Sequence, residues 1–83
     1  MSRYDLQVSK DSLLEAPFFS CNSDFPFTGL SIGDEIHLSG DLPIDYDTAA
    51  ERLVITRRQH VITQIDGELF AHTLRLCVKV SPR

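Results

Sequence analysis

Three histidines and two cysteines are the residues of this 83-residue chain best suited to metal or acid–base chemistry, and they are dispersed: Cys21, His37, His60, His72 and Cys77. A structural zinc site wants four converging ligands, usually delivered as closely spaced pairs. The chain has no Cys-x-x-Cys and no His-x-x-x-His, so no metal is assigned. The acids around Asp45 and Asp47 fit a calcium loop no better. An EF-hand begun at Asp45 needs glycine and glutamate where Ala50 and Thr56 stand. Neither a phosphate-binding glycine loop nor a Gly-x-Ser-x-Gly elbow occurs. No catalytic residue and no cofactor is therefore assigned. His72 reads as a core histidine with one hydrogen-bonded nitrogen, as buried polar groups require.

Charge is patterned more clearly than nucleophiles are. Net charge is −4, yet residues 1–51 carry −8, ten acids against Arg3 and Lys10, and residues 52–83 carry +4, six bases against Asp66 and Glu68. Such asymmetry invites an anionic partner, or simply a fold in which the two halves neutralise each other.

The element that must position these cations is a long hairpin, expected over residues 52–65 and 68–80. Asp66-Gly67 lies between two runs rich in β-branched residues, and a two-residue Asp-Gly connection favours a type I′ turn. That turn pairs Leu53 with Val80, Ile55 with Val78, Val61 with His72 and Thr63 with Phe70. Alternation then collects Leu53, Ile55, Val61, Thr63 and Ile65 on one face, with Phe70, His72, Leu74, Leu76, Val78 and Val80. Arg57 and Gln59 break the pattern, because they would point inward opposite Leu76 and Leu74. A β-bulge near Thr56–Arg58 would re-aim them. Each strand would span roughly 45 Å at about 3.3 Å per residue. That is too long to stay flat, so the ribbon should coil and serve two sheets.

On the outer face the same register sets Arg58 against Arg75, His60 against Thr73, Val54 against Lys79, Ile62 against Ala71 and Gln64 against Leu69. Opposed like charges ask for a counter-ion. It could come from Glu35, Asp45, Asp47 or Glu51, or from phosphate, with Arg57, Arg58, Arg75 and Lys79 as the footprint. Ile62, Leu69 and Ala71 form an apolar patch where water is expected, which suits contact with another protein or a second copy.

Elsewhere the chain reads as short pieces. Tyr4, Leu6 and Val8 alternate with polar residues and predict a strand. Lys10 to Ala16 predicts a turn or a single helical turn, ended by Pro17. Phe18, Phe19, Phe25 and Phe27 bracket a polar loop, Ser20 to Asp24, and suit a plug at one end of the core; Pro26 marks an edge or irregular piece. Ile32, Ile36 and Leu38 predict a half-buried strand entered through Gly33-Asp34. The pattern from Leu30 to Leu38 resembles the entry strand of many small β-barrels, PUA/ASCH-like and SH3-like ones among them, and bears on architecture alone. Thr48-Ala49-Ala50-Glu51 fits a capping box leading into the hairpin.

The fold expected is all-β: one small domain over residues 1–83, an antiparallel barrel or two-sheet sandwich of about four or five strands, with at most one or two helical turns. No apolar run approaches the roughly 20 residues that span a bilayer, and Met1 to Leu6 has no apolar core like a signal peptide. A cytoplasmic protein with unbridged cysteines and no membrane partner is expected. The leading functional reading is a non-enzymatic interaction or self-association module using the hairpin's outer face. A nucleic-acid-binding β-barrel using the Arg/Lys stripe stands second, with the phenylalanines stacking on bases. A small-ligand or catalytic site at an open barrel mouth, lined by Arg57, Gln59 and His72, stands third.

Overall fold

A computed structural model describes residues 3–38, 46–67 and 70–83. Its strands are β1 (Arg3–Lys10), β2 (Phe19–Ser23), β3 (Glu35–Ile36), β4 (Glu51–Gln64) and β5 (Phe70–Pro82). They form one five-stranded sheet in the order β2-β1-β5-β4-β3, curled into a half-barrel, and no helix occurs among the described residues. The all-β expectation holds. The long hairpin is its spine, but it lies within one sheet rather than serving two.

The sheet is mixed. β4 and β5 pair antiparallel, as do β1 with β2 and β3 with β4, whereas β1 runs parallel to β5 from Arg3↔Ala71 to Lys10↔Val78. Alternation in β1 makes this pairing worthwhile. Leu6 and Val8 lie beside Leu74 and Leu76, and with Leu53, Ile55 and Val78 they make the buried cluster. Full burial of such a side chain contributes roughly 1.5–3 kcal/mol. Phe18, Phe19 and Phe27 pack against this cluster as the expected plug, while Phe25 is exposed. Ser20 to Ser23 are not a loop: they belong to the edge strand β2, paired with β1.

The hairpin register is right on one side of Thr56 and shifted on the other. Leu53↔Val80 and Ile55↔Val78 pair as expected, then a bulge at Thr56 moves the pairing by one, giving Arg57↔Cys77, Gln59↔Arg75, Ile62↔His72 and Gln64↔Phe70. Thr56 is the extra residue, and its Oγ1 donates to the Cys77 carbonyl oxygen at 3.2 Å. The slip ends the described ladder at Gln64↔Phe70, which is not the pairing that a two-residue turn at Asp66-Gly67 would set. Gly67 does not adopt the positive φ that a type I′ turn demands. Ile65 falls beyond the strand, and Val61 and Thr63 lie on the face opposite Leu53 and Ile55.

Three connections hold the ends of this framework. After β1, Asp11 takes a left-handed conformation (φ 66°) and the chain makes a turn rather than a helix, with the Leu14 N–H donating to Ser12 Oγ. At Gly33 (φ 95°) the chain turns in a conformation that an L side chain rarely adopts. The Gly33 N–H then donates to the Ile55 carbonyl and the Ile55 N–H donates to that of Asp34. The expected strand there is reduced to Glu35 and Ile36; Ile32 is exposed, while Ile36 and Leu38 pack on the core. Before β4, Asp47 rather than Thr48 is the capping residue. Its Oδ1 accepts from the Ala49 N–H, and Glu51 reaches back to accept from the Asp47 N–H.

Candidate interaction edge and histidine pair

The bulge decides which side chains meet. Directly opposed residues share a face of the sheet. Beyond Thr56 the inner face therefore carries Arg58, His60, Ile62 and Gln64 opposite Leu76, Leu74, His72 and Phe70. The outer face carries Arg57, Gln59, Val61 and Thr63 opposite Cys77, Arg75, Thr73 and Ala71.

The expected sites are redistributed accordingly. Arg58 and Arg75 do not oppose each other, because they lie on opposite faces. Neither is paired with Glu35, Asp47 or Glu51, and Asp45 lies outside the described residues. Arg58 Nη1 donates to the Leu30 carbonyl at 2.8 Å, and Arg75 donates to the Leu13 carbonyl at 2.6 Å and to Gln59 Oε1 at 3.2 Å. Arg75 thereby ties the β1–β2 connection to the outer face, where Ser9 Oγ also donates to the Glu15 carbonyl. Arg57, Arg75 and Lys79 do share the outer face, the latter two diagonal to Arg57 about Cys77. Among the described residues Arg3 pairs with Asp5 and Arg83 with Glu35, and Arg57 and Lys79 are exposed.

The apolar patch does not assemble. Ile62 is on the inner face beside His72, Ala71 is on the outer face beside Thr63, and Leu69 lies outside the described residues. Gln64 has Phe70 opposite it rather than Leu69. Arg57, Gln59 and His72 fail to converge for the same reason: the first two are outside and His72 is inside. The phenylalanines offer no stacking platform beside the cations, since three of them are committed to the core.

A different feature takes their place. β3 covers β4 only at Leu53 and Val54, and loop atoms at Gly33 and Asp34 extend this to Ile55. From Arg57 to Gln64 every residue of β4 is exposed, and no described strand pairs with its outer side. The Ile55 N–H and C=O point away from β5, so the bulge passes that orientation to Arg58, His60, Ile62 and Gln64. Their peptide groups are presented along an open edge, which is a template for a further strand.

The bulge also creates a contact invisible in the unshifted register. His60, moved to the inner face, lies diagonally across from His72, with His60 Nδ1 and His72 Nε2 2.9 Å apart and ring centroids 5.1 Å apart. Tyr4 packs edge-on to both His72 and Phe70, each at 6.0 Å between centroids. His37, beyond β3, is far along the chain from this group and exposed. Between β1 and β2 the outer face holds an open polar depression lined by Arg3, Asp5, Gln7 and Ser20, but the Arg3–Asp5 ion pair occupies its cation. Cys21 is exposed and Cys77 buried, and they form no bridge.

No helix among the described residues is long and apolar enough to cross a membrane. Compared with protein families, with curated proteins and with solved structures, the chain finds no match, so its site is read from its own geometry.

Proposed function

We propose that this protein is a non-enzymatic interaction module whose partner adds an extended, acidic segment to the open edge of β4. The observation that carries this reading is the exposed run from Arg57 to Gln64, which no described strand pairs on the side away from β5. Strand addition draws affinity from such groups and specificity from the alternating side chains. Those side chains favour an acidic partner. Residues 52–64 hold Arg52, Arg57 and Arg58 and no acid, and Arg57 has Lys79 as a diagonal neighbour on the outer face. A second copy is the weaker occupant, because β4 against β4 would bring two cationic strands together. Nucleic acid is weaker again: Phe18, Phe19 and Phe27 are packed on the core rather than beside the cations, and net charge is −4. A cytoplasmic setting accords with the two unbridged cysteines.

The test uses a peptide alternating valine with glutamate, a matched lysine version, and amide NMR on the intact chain. The glutamate peptide should perturb and protect the amides of residues 57–64, and the lysine version should not. Ile62→Pro, which removes an N–H facing the open edge, should abolish the effect while the β4–β5 ladder persists. Equal response to both peptides, or response centred elsewhere, would defeat the reading. Sedimentation that reveals a dimer broken by Ile62→Pro would reassign the edge to a second copy, and low-salt binding of single-stranded RNA lost on Arg57→Ala would reassign the cations.

A further inference from the structure

We infer that His60 and His72 form a two-nitrogen chelate for a divalent transition-metal ion of the copper(II) or nickel(II) class. The inference stands on side chains of the inner face and is independent of what occupies the β4 edge. Its basis is proximity: His60 Nδ1 and His72 Nε2 lie 2.9 Å apart across two paired strands, with the ring centroids 5.1 Å apart. Imidazole nitrogens sit about 2.0–2.1 Å from a bound metal, so two of them subtending about 90° lie roughly 2.9 Å apart. A tetrahedral angle would need about 3.3–3.4 Å. In the metal-free protein the 2.9 Å spacing is a hydrogen bond, and re-aiming the exposed His60 ring would bring both nitrogens onto adjacent positions of a tetragonal or octahedral ion.

In the metal-free protein one ring nitrogen donates to the other, and which one donates depends on the tautomer. Metal binding replaces that shared proton: the donor ring changes tautomer, giving up the proton on the facing nitrogen and taking one from solvent at its other nitrogen, so that both rings bind as neutral imidazoles. The rings are already brought together by two paired strands, and binding requires that they turn until both lone pairs converge on the ion. His72 is half-buried and wedged by Tyr4, while His60 is exposed on the edge strand, so one ligand is fixed and the other adjusts. Open positions on the ion would be filled by water. Imidazole pairs suit copper and nickel, and the divalent series places copper(II) tightest. Among the described residues no group of three or more His, Cys, Asp or Glu converges, which limits the protein's share to these two nitrogens.

The experiment is calorimetric titration of the untagged chain with copper(II), nickel(II) and zinc(II) salts in a non-coordinating buffer, with copper EPR to count nitrogen ligands. One equivalent of copper should bind with a two-nitrogen signature, more tightly than nickel and at least tenfold more tightly than zinc. His60→Ala and His72→Gln should each weaken copper binding at least tenfold, whereas His37→Ala should leave it unchanged. His60 is exposed, so its variant tests the ligand without threatening the fold, and circular dichroism checks that His72→Gln remains folded. Copper binding undiminished in His60→Ala, or weakened equally by His37→Ala, overturns the inference. Zinc binding as tightly as copper overturns the proposed geometry.

Discussion

The two ends of β4 share a strand, a partner and a supply of β-branched residues, yet they behave as different objects. From Leu53 to Ile55 the strand is flanked on both sides, and Leu53 and Ile55 are 0% and 1% exposed. From Arg57 to Gln64 it is flanked on one side only, and Ile62, as apolar as Ile55, is 68% exposed. Hydrophobicity does not distinguish them. What separates them is Thr56, which shifts the alternation, and β3, which ends after two residues. The proximal end is built into the core, and the distal end is exposed.

The largest effects should separate these ends by stability. Leu53→Ala should cost about 2–5 kcal/mol in urea unfolding, as large-to-small core changes do. Ile62→Ala should stay within about 0.5 kcal/mol, as exposed positions do. Comparable losses at both sites would mean that the distal ribbon is packed against something. A finer test uses proline along the distal run. Val61→Pro removes a ladder hydrogen bond to β5 and should cost roughly 1–3 kcal/mol more than Ile62→Pro, whose N–H faces the open edge. A reversed ranking would invert the assignment of open and paired peptide groups. The smallest contrast lies among the arginines of the outer face. Arg75→Ala should lower stability by about 1 kcal/mol through its two hydrogen bonds, whereas Arg57→Ala should change melting hardly at all and act only on partner binding.

Most of the hairpin was legible because its proximal half obeys simple alternation, and the core residues Leu53, Ile55, Leu74, Leu76 and Val78 follow from that. The need for a bulge was legible too, since Arg57 and Gln59 could not point inward. Its consequence for the faces was harder to see. The attractive Asp66-Gly67 turn fixed a register from the tip, and a bulge requires the tip to slip by one residue. Propagating that slip would have moved His60 beside His72 and parted Arg58 from Arg75. The parallel pairing of β1 with β5 had no local signal, because Leu6 and Val8 alternate in the same way whichever direction their neighbour runs. The open edge of β4 was equally hidden, because it depends on how few residues of β3 adopt extended pairing.

That parallel pairing shapes how the chain acquires its structure during synthesis. β1 leaves the ribosome long before β5 exists, and β2 alone gives it no shield for Leu6 and Val8, whose companions are Leu74 and Leu76. Pairing distant segments carries a loop-closure cost and slows folding. β4 and β5 can associate through a short connection as soon as both are made. The ribbon therefore needs no distant segment to pair, whereas β1 finds its place against the far side of β5 only once the last strand has been made.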